Sequence, residues 1–424
     1  GQPFYAGWDL SDDEAPPPRR GRPRTADQLF AAAMLLAPAW HDPALDRPSS
    51  FEEAALGLAA RARAWREGQQ PAIALGMRLW KRRTVAAFLE GEAPRPRFAD
   101  DPDRALARAA EEGRRLVVWA SAETPELAAR AAARGVPLLR MEDGFLRSRG
   151  LGAALVPAAS LVLDDLGIYF DPTRPSRLEA LIEAAPALPE VARARAAALR
   201  TRLLETGVTK YNTGAAAPLP ATGGRPVILV PGQVEDDASI RLGAGTVRTN
   251  LGLLEAAREA NPGAFLVYKP HPDVEAGLRP GKIAAEDLAR LADHVAEAAD
   301  PAALLARADG LWTMTSLMGF EALLRGVPVT ALGRPFYAGW GLTEDRTGLP
   351  DPFPRRRARP GLDGLVHATL IDYPRYRDPV SGLPCPPEVI VERLATGAAP
   401  RQGPALRLLA RAQGLLASYA TLWR

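Results

Sequence analysis

The chain has 424 residues, enough for two or three domains at roughly 150 residues each, and its 47% apolar and 24% charged content excludes a disordered polymer. Fifty-three basic residues against 50 acidic leave a formal charge of +3, too little for a nucleic-acid-binding field; only four of the basic residues are lysine (Lys81, Lys210, Lys269, Lys282). One cysteine, Cys385, excludes an internal disulfide framework and a cysteine-built zinc site, the four scattered histidines show no ligand spacing, and no run of 18 apolar residues spans a membrane.

In chain order, a strand predicted over 72–77 leads to a helix over 78–90. Residues 116–120 form a short continuous apolar run of the kind buried in parallel sheets, and a helix over 125–134 follows, closed by Gly135. Strands are expected at 136–140 and 161–163, with helices over 179–184 and 191–204. Residues 213–224, rich in Gly, Ala and Pro, read as a linker. A second set begins beyond it. Strands are expected at 227–230, 264–268, 311–312 and 327–332, and helices over 248–261, 288–298, 304–308 and 319–324, with His294 and Val295 inside the second of these helices. Residues 386–420 are Arg-, Ala- and Leu-rich and read as mainly helical. Alternating strands and helices imply right-handed βαβ units, so an α/β chain with two Rossmann-like domains facing a cleft is expected, its ligand at the carboxyl ends of the strands.

Four clusters fall beside predicted strand ends. Glu142-Asp143-Gly144-Phe145-Leu146-Arg147 places two carboxylates beside a glycine turn, fit for a base and an orienting charge or for a solvated turn. Gln233-Val234-Glu235-Asp236-Asp237-Ala238-Ser239 carries three consecutive acids that can bind Mg²⁺, cap a helix or supply a nucleophile. Lys269-Pro270-His271-Pro272 stiffens the backbone around a single histidine and denies it helical geometry. Thr313-Met314-Thr315-Ser316 opens a helix whose free N–H groups suit a phosphate, with Glu321 one and a half turns on and within reach of a ribose; a plain serine cap with a surface glutamate fits as well. Neither a Walker A sequence nor GxGxxG occurs.

The sequence also repeats itself. Residues 1–8, GQPFYAGW, return at 333–340 as GRPFYAGW; the apolar run 29–36 answers 365–371, and Pro38–Pro43 answers Pro374–Pro379. This reads as a module ending near residue 62 and a second, complete one ending the same way near 395. Residues 1–62 are then expected to pack as helices and loops outside the second module's cleft. The chain starts at Gly1 without a signal-type segment and reads as a fragment or processed chain from the cytoplasm.

EDGFLR, QVEDDAS, KPHP and GRPFYAGWGLT, in this order and with the FYAGW repeat, resemble the KpsC family of bacterial capsule enzymes, retaining β-Kdo transferases with two catalytic modules in tandem. The resemblance covers residues 70–395 as one module. It implies a GT-B fold with a first domain over 70–222 (acceptor), a second over 223–385 (donor) and C-terminal helices over 386–424. It implies CMP-Kdo as donor and a Kdo-bearing lyso-phosphatidylglycerol as acceptor, with no metal or other cofactor. The place implied is the inner face of the inner membrane, beside the capsule assembly and export machinery. By resemblance Asp237 is the carboxylate that attacks the anomeric carbon, with Asp236 the competitor one residue away. Glu142 is the acid/base, His271 and Lys269 stabilise the departing phosphate, Thr315 and Ser316 hold it, and Glu321 takes the ribose. Gln233 joins the donor-binding set, and Asp143 and Arg147 stand beside Glu142 as further candidates. Two other readings stay open: an inactive scaffolding module, and a GT-B nucleotide-sugar epimerase.

Overall fold

Hydroxyl and carboxylate side chains set the helix starts: Ser50, Asp101, Thr124, Ser176 and Thr249 each accept a backbone N–H from the first turn of the helix that follows. Between these helices run short apolar strands, several buried along their whole length. The computed structural model describes residues 23–148, 156–210, 212 and 219–398.

The described chain opens with α1 (Ala26–Phe30), which runs into a π-helical turn (Ala31–Leu36), a hairpin of β1 (Trp40–Asp42) and β2 (Arg47–Ser49), and α2 (Phe51–Glu67). The hairpin stands where helices and loops alone were expected; the first FYAGW copy lies outside the described residues. The first domain continues with β3 (Ala72–Leu75), α3 (Leu79–Phe88), β4 (Arg97–Ala99), α4 (Pro102–Glu111), β5 (Arg115–Trp119), α5 (Pro125–Ala133), β6 (Leu138–Asp143), β7 (Ser160–Asp164), α6 (Arg177–Ala184) and α7 (Glu190–Thr206).

The second domain holds β8 (Val227–Pro231), α8 (Ala238–Gly243), α9 (Asn250–Ala260), β9 (Phe265–Lys269), α10 (Pro272–Glu275), α11 (Ala285–Leu291), β10 (His294–Val295), α12 (Pro301–Leu305), β11 (Gly310–Thr313), α13 (Leu317–Leu324), β12 (Val329–Ala331) and β13 (Glu344–Asp345). The chain then returns through α14 (Gly361–Val366), a second π-helical turn (His367–Asp372), β14 (Pro374–Tyr376) and α15 (Pro387–Thr396).

The second sheet is parallel throughout, in the order β10-β9-β8-β11-β12-β13. The first, β14-β7-β6-β5-β3-β4, is parallel from β6 to β4 and antiparallel at β7 and β14. Three expectations change. His294 and Val295 form an edge strand instead of helix: they pair with Val267 and Tyr268, and Asp293 ends the helix before them by accepting the Leu266 N–H at 2.9 Å. Strand β6 extends through Glu142 and Asp143, which therefore sit on the strand and not after it. Finally, α14 and the second π-turn pack on α6 and α7, and β14 edges the first sheet, so residues 361–385 belong with the first domain although sequence assigned them to the second.

An apolar interface fixes the base of the cleft. Phe145 of the first domain lies 4.8 Å from Tyr169 and 4.9 Å from Phe336 of the second, whose ring is 5.4 Å from Phe320. Interleaved rings of this kind bury large areas and hold two layers in register.

Candidate active site

A cleft of about 660 Å³ lies between the two sheets, at the carboxyl ends of their parallel strands. None of the described residues of the N-terminal segment lines it. Asp237, Glu142, Asp143, His271, Lys269, Thr315, Ser316, Glu321 and Gln233 all do; Asp236 and Arg147 do not.

On the second-domain bank, β8 ends at Pro231 and is followed by Gly232, whose N–H donates to the Lys269 carbonyl at 2.7 Å. Tyr268 Oη lies so close to Gly232 that any Cβ there would overlap it. Gln233 is buried, and its amide is already occupied: Nε2 donates to Thr315 Oγ1 at 2.8 Å, and Oε1 accepts the Thr315 N–H at 2.9 Å. Gln233 therefore positions the Thr315–Ser316 loop from the wall of the cleft. Asp237 caps α8, its Oδ2 accepting from Ser239 N–H (3.1 Å) and Oγ (2.7 Å) while the residue remains half-buried at the cleft. Asp236 is exposed and bound by Arg279 at 2.5 Å.

His271 caps the short α10 by accepting the Asp273 N–H on Nδ1 at 3.1 Å, which leaves the proton on Nε2 as a donor. Burial lowers its pKa, with Lys269 and Lys210 adding to the shift against Asp273 and Asp237, so the ring is neutral near pH 7. Lys269 is buried, and desolvation lowers its pKa against the attraction of Glu275 and Asp300. Ser316 caps α13 through Met318 N–H at 3.2 Å, and Tyr337 of the second FYAGW copy donates to the Ser316 carbonyl at 2.5 Å. Gly319 lets Tyr337 reach that carbonyl, since a Cβ at 319 would overlap the phenol oxygen. Glu321 is buried and accepts the Lys210 N–H at 3.0 Å, so one of its oxygens is committed to the interdomain connection; burial raises its pKa.

The first-domain bank is β6. Desolvation and the neighbouring Asp143 push the Glu142 pKa up to about 7, although Lys81, Lys210 and the Asp143 N–H favour its charged form. Burial would raise Asp143 as well, but Arg147 (2.8 Å) and Lys81 (3.4 Å) outweigh it, and its pKa is lowered. Arg147, 1% exposed, acts from behind Asp143. Two adjacent carboxyls thus separate into one ionised residue and one that titrates near neutrality, the pattern of an acid/base site. Lys81 also lies 3.4 Å from the Trp119 ring centre, and Trp119 lines the cleft.

Sequence reasoning missed Lys81 and Lys210. Lys210 lines the cleft from the connection between the domains, and its charge reaches Glu142, Asp143, His271 and Glu321. The signal was the rarity of lysine: in a chain whose basic residues are nearly all arginine, three of four lysines gather at one site. Among the described residues no group of three or more His, Cys, Asp or Glu side chains is arranged to hold a metal, and no helix is long and apolar enough to cross a membrane.

Two Rossmann-like domains, a cleft at their strand ends and a returning C-terminal segment define a GT-B fold. The chain belongs to the KpsC-related family of capsule polysaccharide biosynthesis proteins, whose description, "Capsule polysaccharide biosynthesis protein", matches residues 114–217 and 196–376. Two solved structures of Thermosulfurimonas dismutans KpsC, titled a beta Kdo 2,7 transferase and a beta Kdo 2,4 transferase, are each 32% identical to it. They align over 78% and 77% of this chain and 100% and 98% of theirs, with TM-scores of 0.61 and 0.66. The capsule polysaccharide modification protein LipA of Neisseria meningitidis (serogroup A) is 42% identical over 89% of this chain and 54% of its own length. The lipopolysaccharide-processing protein LpsZ of Rhizobium meliloti is 43% identical over 62% of this chain and 59% of its own. The chain thus spans about half the length of the curated relatives it matches.

Proposed function

We propose that this chain is a retaining β-Kdo glycosyltransferase that uses CMP-Kdo to extend a Kdo linker on a lyso-phosphatidylglycerol acceptor for capsule assembly. The observation that carries the reading is the pairing across one cleft of Asp237, at the donor-side strand end, with Glu142, whose pKa lies at about 7, and with Lys269, His271 and Ser316 on the same bank as Asp237. The sugar is inferred from the two Thermosulfurimonas proteins, which are beta Kdo transferases.

In the proposed sequence an Asp237 oxygen attacks the anomeric carbon as the bond to the CMP phosphate breaks. The leaving phosphate takes the electron pair, neutralised by Lys269 and by donation from His271 Nε2–H and the Thr315–Ser316 loop; such a leaving group requires charge stabilisation more than a strong acid. Glu142, in its ionised form, then removes the proton of an acceptor hydroxyl, which displaces Asp237 and restores the original anomeric configuration. No metal or cofactor enters these steps. The enzyme works at the inner face of the inner membrane, with a preceding module of the same polypeptide and the export machinery as partners.

Release of CMP from CMP-Kdo, measured with and without a Kdo-terminated lysophospholipid, tests the reading. Transfer to the acceptor with CMP release is expected. Conversion of the donor to an isomeric nucleotide sugar without net CMP release favours an epimerase, and a donor left unchanged favours a scaffolding module.

A further inference from the structure

In a nucleotide-activated 2-keto acid sugar, the anomeric carbon bears both the leaving phosphate and a carboxylate. A carboxylate nucleophile approaching that carbon meets a like charge unless a cation holds the sugar acid. Three cationic side chains, Lys210, Lys269 and Arg279, line the cleft among the described residues. Lys269 stands with His271 and Ser316 on the bank given to the phosphate, and Lys210 spreads its charge over Glu142, Asp143, His271 and Glu321. Arg279 has no part in the steps above.

The backbone that carries Arg279 is fastened to the loop that carries Asp237. Beyond α10 the Leu278 and Arg279 N–H groups donate to the Asp273 carbonyl at 2.8 and 3.2 Å, and the Glu235 N–H donates to the Pro280 carbonyl at 3.3 Å. Fully buried Asn250 joins the two loops: Nδ2 donates to the carbonyls of Gln233 (2.7 Å) and Gly281 (2.8 Å), and Oδ1 accepts the Gln233 N–H at 2.8 Å. Gly281, at φ +128°, lies so close to Asn250 and to the Gln233 carbonyl that any Cβ would overlap them. Asp236, the residue before Asp237, fixes the side chain itself, its Oδ1 accepting from Arg279 Nε at 3.0 Å and Nη2 at 2.5 Å. A guanidinium offers five N–H groups, so this pair orients the fork without using it up. Asp236 is also exposed, and a pair so open to water adds little stability of its own.

We infer that Arg279 binds the carboxylate of the donor sugar and so selects a 2-keto acid sugar over a neutral one, with Asp236 as its positioning residue. An arginine fork meets a carboxylate with two parallel hydrogen bonds, which a lysine cannot reproduce. The contact exists before the sugar is transferred as well as during transfer, so it acts on donor affinity first. It also gives Asp236 a role other than that of a competing nucleophile. The inference rests on the donor class proposed above.

Titration calorimetry with CMP and with CMP-Kdo tests it, in proteins that carry Asp237→Asn so that the donor is not consumed. CMP has the base and the phosphate but no sugar acid. Arg279→Gln should weaken CMP-Kdo binding by about 30-fold and CMP binding by no more than about twofold. Arg279→Lys should recover only part of that loss. Asp236→Asn should weaken CMP-Kdo by about threefold and leave CMP unchanged, and the retained CMP affinity shows that the site is folded. Equal losses for the two ligands would make Arg279 a phosphate ligand and overturn the inference, as would CMP-Kdo binding that Arg279→Gln leaves unaltered. Failure of the protein with Arg279 intact to bind CMP-Kdo defeats the donor reading itself, and the inference with it, before any change at 279 is made.

Discussion

Glu142 gives the sharpest consequence at the scale of single residues. Its raised pKa means that the folded chain holds the proton more tightly than the unfolded chain does, so this group's contribution to stability is present at low pH and is lost as pH rises through about 7. As a base it must be ionised, so turnover should climb across the same interval. A pH–rate profile is expected to show an acidic limb near pH 7 that disappears in Glu142→Gln. Lys81 favours the ionised form, so Lys81→Met should move the limb to higher pH; a limb that stays in place shows that another group sets it. His271→Ala should lower transfer by ~10²-fold or more. Its stability cost should be about 1 kcal/mol, the loss of one helix cap, read from denaturant midpoints. Much of this site was legible in the sequence because β8 and β9 end where their clusters begin, and the prolines around His271 keep that residue itself out of helical geometry, at the cap of α10. Lys81 and Lys210 were not, since their roles depend on which distant carboxylates the fold brings to them.

At the scale of elements, the second FYAGW copy explains its own recurrence. Phe336 fills the aromatic interface, Tyr337 holds the Ser316 carbonyl at the start of α13, and Trp340 Nε1 returns to the Phe336 carbonyl at 2.8 Å. Gly319→Ala forces a Cβ into the Tyr337 oxygen and should cost on the order of 1–3 kcal/mol, with weaker donor binding because the Ser316 loop must shift. Calorimetry together with a donor-binding titration checks both; an unperturbed KM would separate the loop from the donor site. Alternation of apolar runs was enough to read most strands of both sheets. It failed at His294–Val295, where two residues at a sheet edge carry no period of their own and the preceding helical pattern runs on through them. It failed again at β14, whose partner β7 lies far back in the chain.

Over the whole molecule, the returning segment and the aromatic interface tie the domains at the base of the cleft, and Arg355 adds a polar latch. Its guanidinium, on the second-domain side, meets buried Glu179 of the first at 2.8 Å and donates to the Pro172 carbonyl at 2.8 Å. Arg355→Met should lower stability by about 2 kcal/mol, because buried Glu179 loses the guanidinium that it pairs with. The central claim, however, concerns two carboxyls facing each other across the cleft, and intact-mass analysis after incubation with CMP-Kdo tests it most directly. Glu142→Gln should accumulate a covalent Kdo adduct, the same adduct should be absent when Asp237→Asn is added, and it should persist when Asp236→Asn is added instead. An adduct that survives Asp237→Asn, or its absence from every variant while transfer continues in the wild type, would contradict the account.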